Sequence, residues 1–156
     1  MAVIAAGQPA PEFSLARADG GPFTRADLER GRTLLVFYPF AFSSVCTDQL
    51  SIYNDLVGDF AAHGLTLYGV SCDAVASQQA FKEQLGIEIE QLSDFEPKGA
   101  VCRAFGVYHP AGFPQRALVM IGPDGVVEWS HEAAQAAWSA SKIRLAPGSS
   151  PGESAS

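Results

Sequence analysis

The feature that most constrains the fold is residues 33–38, an uninterrupted run of apolar, β-branched and aromatic side chains. The run has the length of a strand, and its lack of polar alternation indicates that both faces are covered. Beyond a short turn, apolar residues recur every three or four positions from Cys46 to Phe60, and Gly64 ends the pattern. A buried strand followed by an amphipathic helix predicts an α/β fold.

The rest of the chain continues this alternation and then adds hairpins. The expected elements are two N-terminal strands at residues 13–15 and 22–23, a short helix at 26–30 that Thr24 caps, a strand at 65–71, helices at 77–85 and 99–105, strands at 117–121 and 126–129, and a helix-compatible segment at 133–141. The glycines at positions 20 and 21 allow a tight β-hairpin at the N-terminus. We therefore expect a central mixed sheet flanked by helices, with an N-terminal β-hairpin.

Length and charge restrict the function classes. The chain has 156 residues, which fit one domain at residues 1–145, and the Ser/Pro/Gly-rich residues 146–156 are expected to be a disordered tail. A formal net charge of −7 argues against nucleic acid or an anionic membrane as a partner. No apolar stretch reaches the roughly 18 residues of a spanning helix, and the N-terminus lacks the charged region of a secretory signal. We expect a cytoplasmic protein.

The chain has three cysteines and no C-x-x-C pair, which disfavours a disulfide framework and leaves room for a single reactive thiol. Cys46 is the candidate, because it lies in the first turn of the helix that follows the buried strand. Unpaired N–H groups and the helix dipole favour the thiolate there. Pro39 ends the strand and shields the sulfur from water, and the hydroxyl of Ser43 can reach the same point.

A thiolate at this position also needs a cation. Asp48 disfavours the thiolate if its carboxylate points inward, so we expect a compensating positive charge. Arg116, at the start of the strand at residues 117–121, is the candidate, and Arg103 is the alternative.

The other reactive residue types have simpler interpretations. Cys72 is expected to be a packing residue, and Cys102 is expected to fill a helix face, with redox partnership as the alternative. The three histidines lack ligand spacing, so no metal site is predicted. Phe40 and Phe42 are candidates for substrate contacts, although aromatic residues are more often part of the core.

The motif Pro39-x-x-x-Ser43-x-x-Cys46, with Arg116 on a later strand, resembles the active-site pattern of the peroxiredoxins. Further similar segments are Gly7-x-x-Ala10-Pro11-x-Phe13-x-Leu15, Gly69-Val70-Ser71-x-Asp73, and the stretch from Leu92 to Val107. The last of these is similar to the one-cysteine alkyl hydroperoxide reductase E branch, and the chain also resembles the bacterioferritin-comigratory (Q-type) branch. The resemblance implies a thioredoxin-like fold and a thiol-dependent peroxidase that reduces hydrogen peroxide and organic hydroperoxides.

Carried over to this chain, the resemblance makes Cys46 the peroxidatic cysteine, Ser43 a hydrogen-bonding partner of sulfur and peroxide, Pro39 the shield and Arg116 the holder of the thiolate. Gln49 falls where the family has Glu or Gln, and it joins Phe40 and Phe42 as a candidate substrate contact. No cofactor is implied. The reaction would leave Cys46 as a sulfenic acid.

Recycling is where the chain departs from two-cysteine relatives. Position 51 is Ser, and no cysteine follows residue 138. We therefore expect reduction by an external thiol, either a low-molecular-weight thiol or a thioredoxin- or glutaredoxin-like protein, in a homodimeric enzyme. The alternatives are an atypical two-cysteine enzyme resolved by Cys102 and a non-enzymatic peroxide-sensing thiol switch. A thioredoxin-type disulfide oxidoreductase is disfavoured because Ser43 stands where the first cysteine of C-x-x-C would be.

Overall fold

The computed structural model describes residues 3–42, 50–51, 53–55 and 57–132. The strands are β1 (Ser14–Ala16), β2 (Pro22–Thr24), β3 (Arg32–Phe37), β4 (Leu65–Ser71), β5 (Glu90–Ser93), β6 (Tyr108–His109), β7 (Phe113–Pro114), β8 (Ala117–Ile121) and β9 (Val127–Glu132). The helices are a 3₁₀ segment (Arg25–Arg30), α1 (Val57–Ala62), α2 (Val75–Leu85) and α3 (Ala100–Ala104). Within these ranges, no helix is both long and apolar enough to cross a membrane.

Seven strands form one mixed sheet in the order β2-β1-β5-β4-β3-β8-β9, and β6 and β7 form a separate hairpin. Strands β3, β4 and β5 are parallel, whereas β8 runs antiparallel to β3. The N-terminal hairpin of β1 and β2 joins the sheet through β5. The predicted α/β class, mixed sheet and N-terminal hairpin are therefore confirmed.

The run at residues 33–38 forms the central strand β3, which is buried on both faces as predicted. Leu34 and Val36 pack on one side with the helical residues Leu50 and Phe60. Leu35 and Phe37 pack on the other side, in a cluster that also contains residues of α3. This alternation follows from the period of two along a strand, and it places the core on both faces of the sheet.

The helix predicted from the spacing at residues 46–60 is present where the structure describes it. Residues 50–51 and 53–55 are helical, α1 continues to Ala62, and Gly64 with φ 73° follows. Gly86, in a left-handed conformation, ends α2, as its position in the sequence predicted. The segment at 133–141 and the tail at 146–156 lie outside the described residues.

Strand β5 was missed by the sequence interpretation, which left this segment without a strand. The strand begins with the polar residues Glu90 and Gln91, so its sequence does not resemble that of a core strand. Gln91 is nevertheless fully buried. Gln91 Oε1 accepts a 2.6 Å hydrogen bond from Tyr38 Oη, and Nε2 donates to the carbonyl of Ile89. A Cβ at Gly69 would lie 2.5 Å from Gln91 Oε1, so the glycine makes room for this amide. A buried polar side chain with both groups bonded breaks the apolar pattern of a strand without weakening it.

Candidate active site

The predicted site residues divide into two groups. Cys46, Ser43 and Gln49 lie outside the described residues, as does Asp48. The described members are Pro39, Phe40, Phe42, Arg116 and Cys102. The structure therefore gives the frame of the site: the segment that leaves β3 and the elements that surround it.

The segment after β3 is held at several points. The Tyr38 amide donates a 3.0 Å hydrogen bond to the carbonyl of Val70, which extends the pairing with β4 by one residue. Pro39 is buried, and its role as the shield of the Cys46 sulfur stays a prediction. The Ala41 amide donates a 2.9 Å hydrogen bond to Asp73 Oδ2. The chain is thus fixed over the residues that precede Ser43.

Two phenylalanines flank this segment at the surface. Phe40 is 48% exposed and Phe42 is 49% exposed, and their rings lie 5.0 Å from Phe113 and 5.2 Å from Phe81, respectively. Phe42 has φ 70°, in the left-handed region that bulky residues rarely adopt. Backbone strain of this kind persists only where the surroundings impose it, and it concentrates at functional sites.

Asp73 is the polar centre behind this segment. Its Oδ2 accepts hydrogen bonds from Ala41 N and from Ser71 Oγ at 2.9 and 2.8 Å. Ser71 Oγ accepts in turn from Gln78 Nε2, and Ser93 Oγ donates to the carbonyl of Asp73 at 2.6 Å. The network joins the carboxyl ends of β4 and β5 to the segment that follows β3.

Arg116 lies at the same edge of the sheet. Phe37 pairs with Ala117 in the antiparallel register of β3 and β8, so one further step places Arg116 beside Tyr38, just before Pro39. Arg116 is half-buried. The alternative cation, Arg103, is exposed, and its guanidinium lies 4.2 Å from the centre of the Tyr108 ring. The register thus puts Arg116 at the end of β3, and its assignment as the cation of the site stays a prediction.

Cys72 and Cys102, which are distant in sequence, meet beneath this edge. Their sulfur atoms and a carboxylate oxygen of Asp94 lie within 4.8 Å of one another, and all three residues are buried. A donor set of two thiols and one carboxylate is able to ligate a soft or borderline metal. The sequence interpretation missed this group because Cys72, Asp94 and Cys102 are far apart in the sequence and none of them is a histidine or part of a short cysteine spacing. The signal available was that Cys72 and Asp94 each follow a strand of the parallel core.

Comparison with known proteins settles the family. Residues 6–130 match the profile of the AhpC/TSA family. The chain belongs to the AhpC/TSA family. The peroxiredoxin resemblance is confirmed by relatives that carry that name.

A putative peroxiredoxin of Mycobacterium tuberculosis is 36% identical over 102 residues, which cover 65% of this chain and 64% of that protein. The chain thus aligns with less than two thirds of that relative's length. Alkyl hydroperoxide reductase E of the same species is 28% identical over 80% of this chain and 82% of that protein. Peroxiredoxin Bcp of Escherichia coli is 30% identical, and the alignment covers 80% of this chain and 83% of that protein. Both branches named from the sequence are therefore among the relatives.

Solved structures of AhpC/TSA-type proteins have the same fold. Peroxidoxin BcpB from Mycobacterium tuberculosis superposes with a TM-score of 0.77 at 28% identity, covering 86% of this chain and 90% of that chain. The reduced 2-Cys peroxiredoxin of Plasmodium vivax gives a TM-score of 0.79 at 23% identity, and the superposition covers 90% of this chain and 92% of that chain. The predicted thioredoxin-like fold is confirmed.

Proposed function

We propose that this chain is a thiol-dependent peroxidase that reduces hydrogen peroxide and organic hydroperoxides through Cys46. The observation that carries the proposal is the register of β3 and β8, which brings Arg116 to the buried Pro39 where the strand ends. Cys46 follows Pro39 by seven positions in the sequence, and the proposal assigns cation, shield and thiol to one edge of the sheet. The names of the AhpC/TSA relatives support the same reaction.

The chemistry follows from these roles. The Cys46 thiolate attacks the terminal peroxide oxygen, the O–O bond breaks, and the leaving oxygen takes a proton to become water or an alcohol. Cys46 is left as a sulfenic acid. The guanidinium of Arg116 favours the thiolate over the thiol and holds the peroxide, while Ser43 hydrogen-bonds the reacting atoms. Donors aimed at the separating oxygens stabilise the transition state in such a site.

Recycling by an external thiol fits the positions of the other cysteines. The thiol displaces water from the Cys46 sulfenic acid, and a second thiol then releases Cys46 from the mixed disulfide. Resolution by Cys102 requires that residue to leave the core. Cys102 has no solvent exposure and lies in the first turn of α3, where its amide is bonded to Asp94. Low-molecular-weight thiols and thioredoxin- or glutaredoxin-like proteins are the proposed reductants.

Assembly and location belong to the same proposal. Phe40, Phe42 and Phe95 are each about half exposed, and they offer apolar surface that a second copy can cover. We expect a homodimer in the cytoplasm, and sedimentation measurements on the reduced protein test the dimer.

The experiment is stopped-flow measurement of hydroperoxide consumption with an excess of thiol. Cys46→Ser is expected to abolish the fast consumption of hydroperoxide, whereas Cys72→Ser and Cys102→Ala leave the rate of the first oxidation nearly unchanged. These two variants are matched controls because each also removes one cysteine. Wild-type rates in Cys46→Ser would show that the nucleophile is elsewhere.

A further inference from the structure

The proposed peroxidase cycle uses Cys46 and leaves the other two cysteines without a role, yet the fold brings those two together. Cys72 directly follows β4 and Cys102 lies in α3, and their sulfur atoms are within 4.8 Å of each other. Cys72 is 8% exposed and Cys102 is fully buried. Two thiols from different elements that approach this closely are placed to form a disulfide when an oxidant takes two electrons from them.

We propose that Cys72 and Cys102 form a reversible intramolecular disulfide, a second redox site that acts independently of Cys46. The S–S bond length of about 2.05 Å requires the sulfurs to approach further, by side-chain rotation and a small shift of α3. The oxidant is a hydroperoxide, the same chemical class that the peroxidase site takes.

The environment assigns different roles to the two thiols. The Cys102 thiol donates a hydrogen bond to the Cys72 sulfur, and this contact lowers the pKa of Cys72 and raises the pKa of Cys102. Burial also raises the pKa of Cys102. Cys72 is therefore the attacking sulfur, because it has both the larger thiolate fraction and the only solvent exposure within the pair.

The reaction balances in two steps. The Cys72 thiolate attacks the terminal peroxide oxygen, the O–O bond breaks, an alcohol or water leaves, and Cys72 becomes a sulfenic acid. The Cys102 sulfur then bonds to the Cys72 sulfur, the S–O bond breaks, and the hydroxide leaves as water with the proton of Cys102. In total one hydroperoxide is reduced and two thiols are oxidised to one disulfide.

Asp94 positions Cys102 for the second step. Its two carboxylate oxygens accept hydrogen bonds from the amides of Val101 and Cys102 at 3.1 and 2.8 Å, which fix the start of α3. Asp94 is a positioning residue in this reaction.

The same three residues are less suited to a metal ion. Both oxygens of Asp94 already accept backbone hydrogen bonds, and a metal ligand would have to give up at least part of this bonding. Two thiolates and a carboxylate around a divalent ion would also leave a negative charge in an apolar cluster, which is costly. A disulfide is neutral and removes both polar hydrogens.

The test uses Cys46→Ser, because Cys46 itself reacts with peroxide in the proposed cycle and shares the tryptic peptide of residues 33–82 with Cys72. The reduced variant is treated with excess hydrogen peroxide, and the free thiols are counted after denaturation. We expect the count to fall from two to zero per chain. The peptides of residues 33–82 and 99–103 should be linked with the loss of two hydrogens, and dithiothreitol should restore both thiols.

The matched control is Cys46→Ser with Cys102→Ala, which should show no intramolecular link. Melting curves of the reduced variants check folding, and Cys46→Ser with Cys72→Ala replaces the control if the first double variant does not fold. Two persistent thiols in Cys46→Ser, or separate oxidation of each cysteine without a link, would overturn the proposal. Zinc retained in native mass spectra that protects both thiols would also overturn it, in favour of a metal site. Because Cys46 is absent from this experiment, its outcome is independent of the proposed peroxidase function.

Discussion

The carboxyl ends of the neighbouring parallel strands β3 and β4 lie at the same edge of the sheet, but their surroundings differ. The chain that leaves β3 carries exposed phenylalanines and a strained Phe42. The chain that leaves β4 enters a partly buried network of Ser71, Asp73 and Gln78, and its thiol faces the core. The comparison shows how one edge can hold both an exposed aromatic segment and a protected thiol pair.

Arg116→Met tests the β3 end with the largest expected effect. Loss of a charge-assisted donor at a reacting centre costs about 1.5–3 kcal/mol, which corresponds to a roughly 10- to 150-fold slower oxidation of Cys46. The pKa of Cys46 should rise toward that of an ordinary thiol. Stopped-flow oxidation and thiolate absorbance measure the two effects, and Arg103→Met serves as the control. An unchanged rate in Arg116→Met, with a slower one in Arg103→Met, would transfer the role to Arg103.

Asp73→Ala tests the connection between the two strand ends. The variant loses the acceptor of the Ala41 and Ser71 hydrogen bonds, so the free energy of unfolding should fall by about 1–3 kcal/mol. Oxidation of Cys46 should slow by about tenfold, because displacements near 1 Å at a reacting centre cost up to about 10²-fold. Asp73→Asn keeps one carbonyl oxygen as an acceptor, so its stability and its oxidation rate should lie between those of the wild type and of Asp73→Ala. Denaturant unfolding measures the stability and stopped-flow kinetics measure the oxidation of Cys46. A loss of stability with an unchanged oxidation rate would show that Asp73 does not connect the end of β4 to the reactivity of Cys46.

The smallest expected effect concerns the pKa of Cys72 at the end of β4, measured in the Cys46→Ser variant. The Cys102 thiol lowers the pKa of Cys72, as does the charge of Lys98, whereas burial, Asp94 and Asp73 raise it. Alkylation requires the thiolate, so removal of the donor in Cys102→Ala should shift the alkylation of Cys72 to higher pH.

Iodoacetamide labelling as a function of pH, followed by mass spectrometry of the peptide of residues 33–82, measures this shift. A shift to lower pH, or no shift, would contradict the assignment of Cys102 as donor. Ser43 and Arg116 should not affect this titration, because they belong to the β3 end.

The central parts of the fold were predictable because apolar runs and glycine stops are local signals. The strand at residues 33–38 and the end of α2 at Gly86 are examples. Strand β5 was not predictable, because Gln91 is satisfied by Tyr38, a partner far away in sequence. A buried polar residue whose hydrogen-bond partner is distant in sequence cannot be recognised from the local sequence pattern.

The candidate site shows the same division. The motif around Cys46 and the choice of Arg116 came from the sequence, and the register of β3 and β8 supports that choice. The role of Asp73 as a shared acceptor and the meeting of Cys72 with Cys102 depend on how β4, β5 and α3 pack together. Spacing along the chain carries no information about these contacts.

The most direct test of the account is to locate the first sulfenic acid. The reduced wild-type protein receives one equivalent of hydrogen peroxide, dimedone traps the sulfenic acid, and fragment spectra of the peptides of residues 33–82 and 99–103 locate the label. The account predicts that the label is on Cys46, with Cys72 and Cys102 still reduced. A label mainly on Cys72 or Cys102 would contradict it, because the protected thiols would then be the reactive ones.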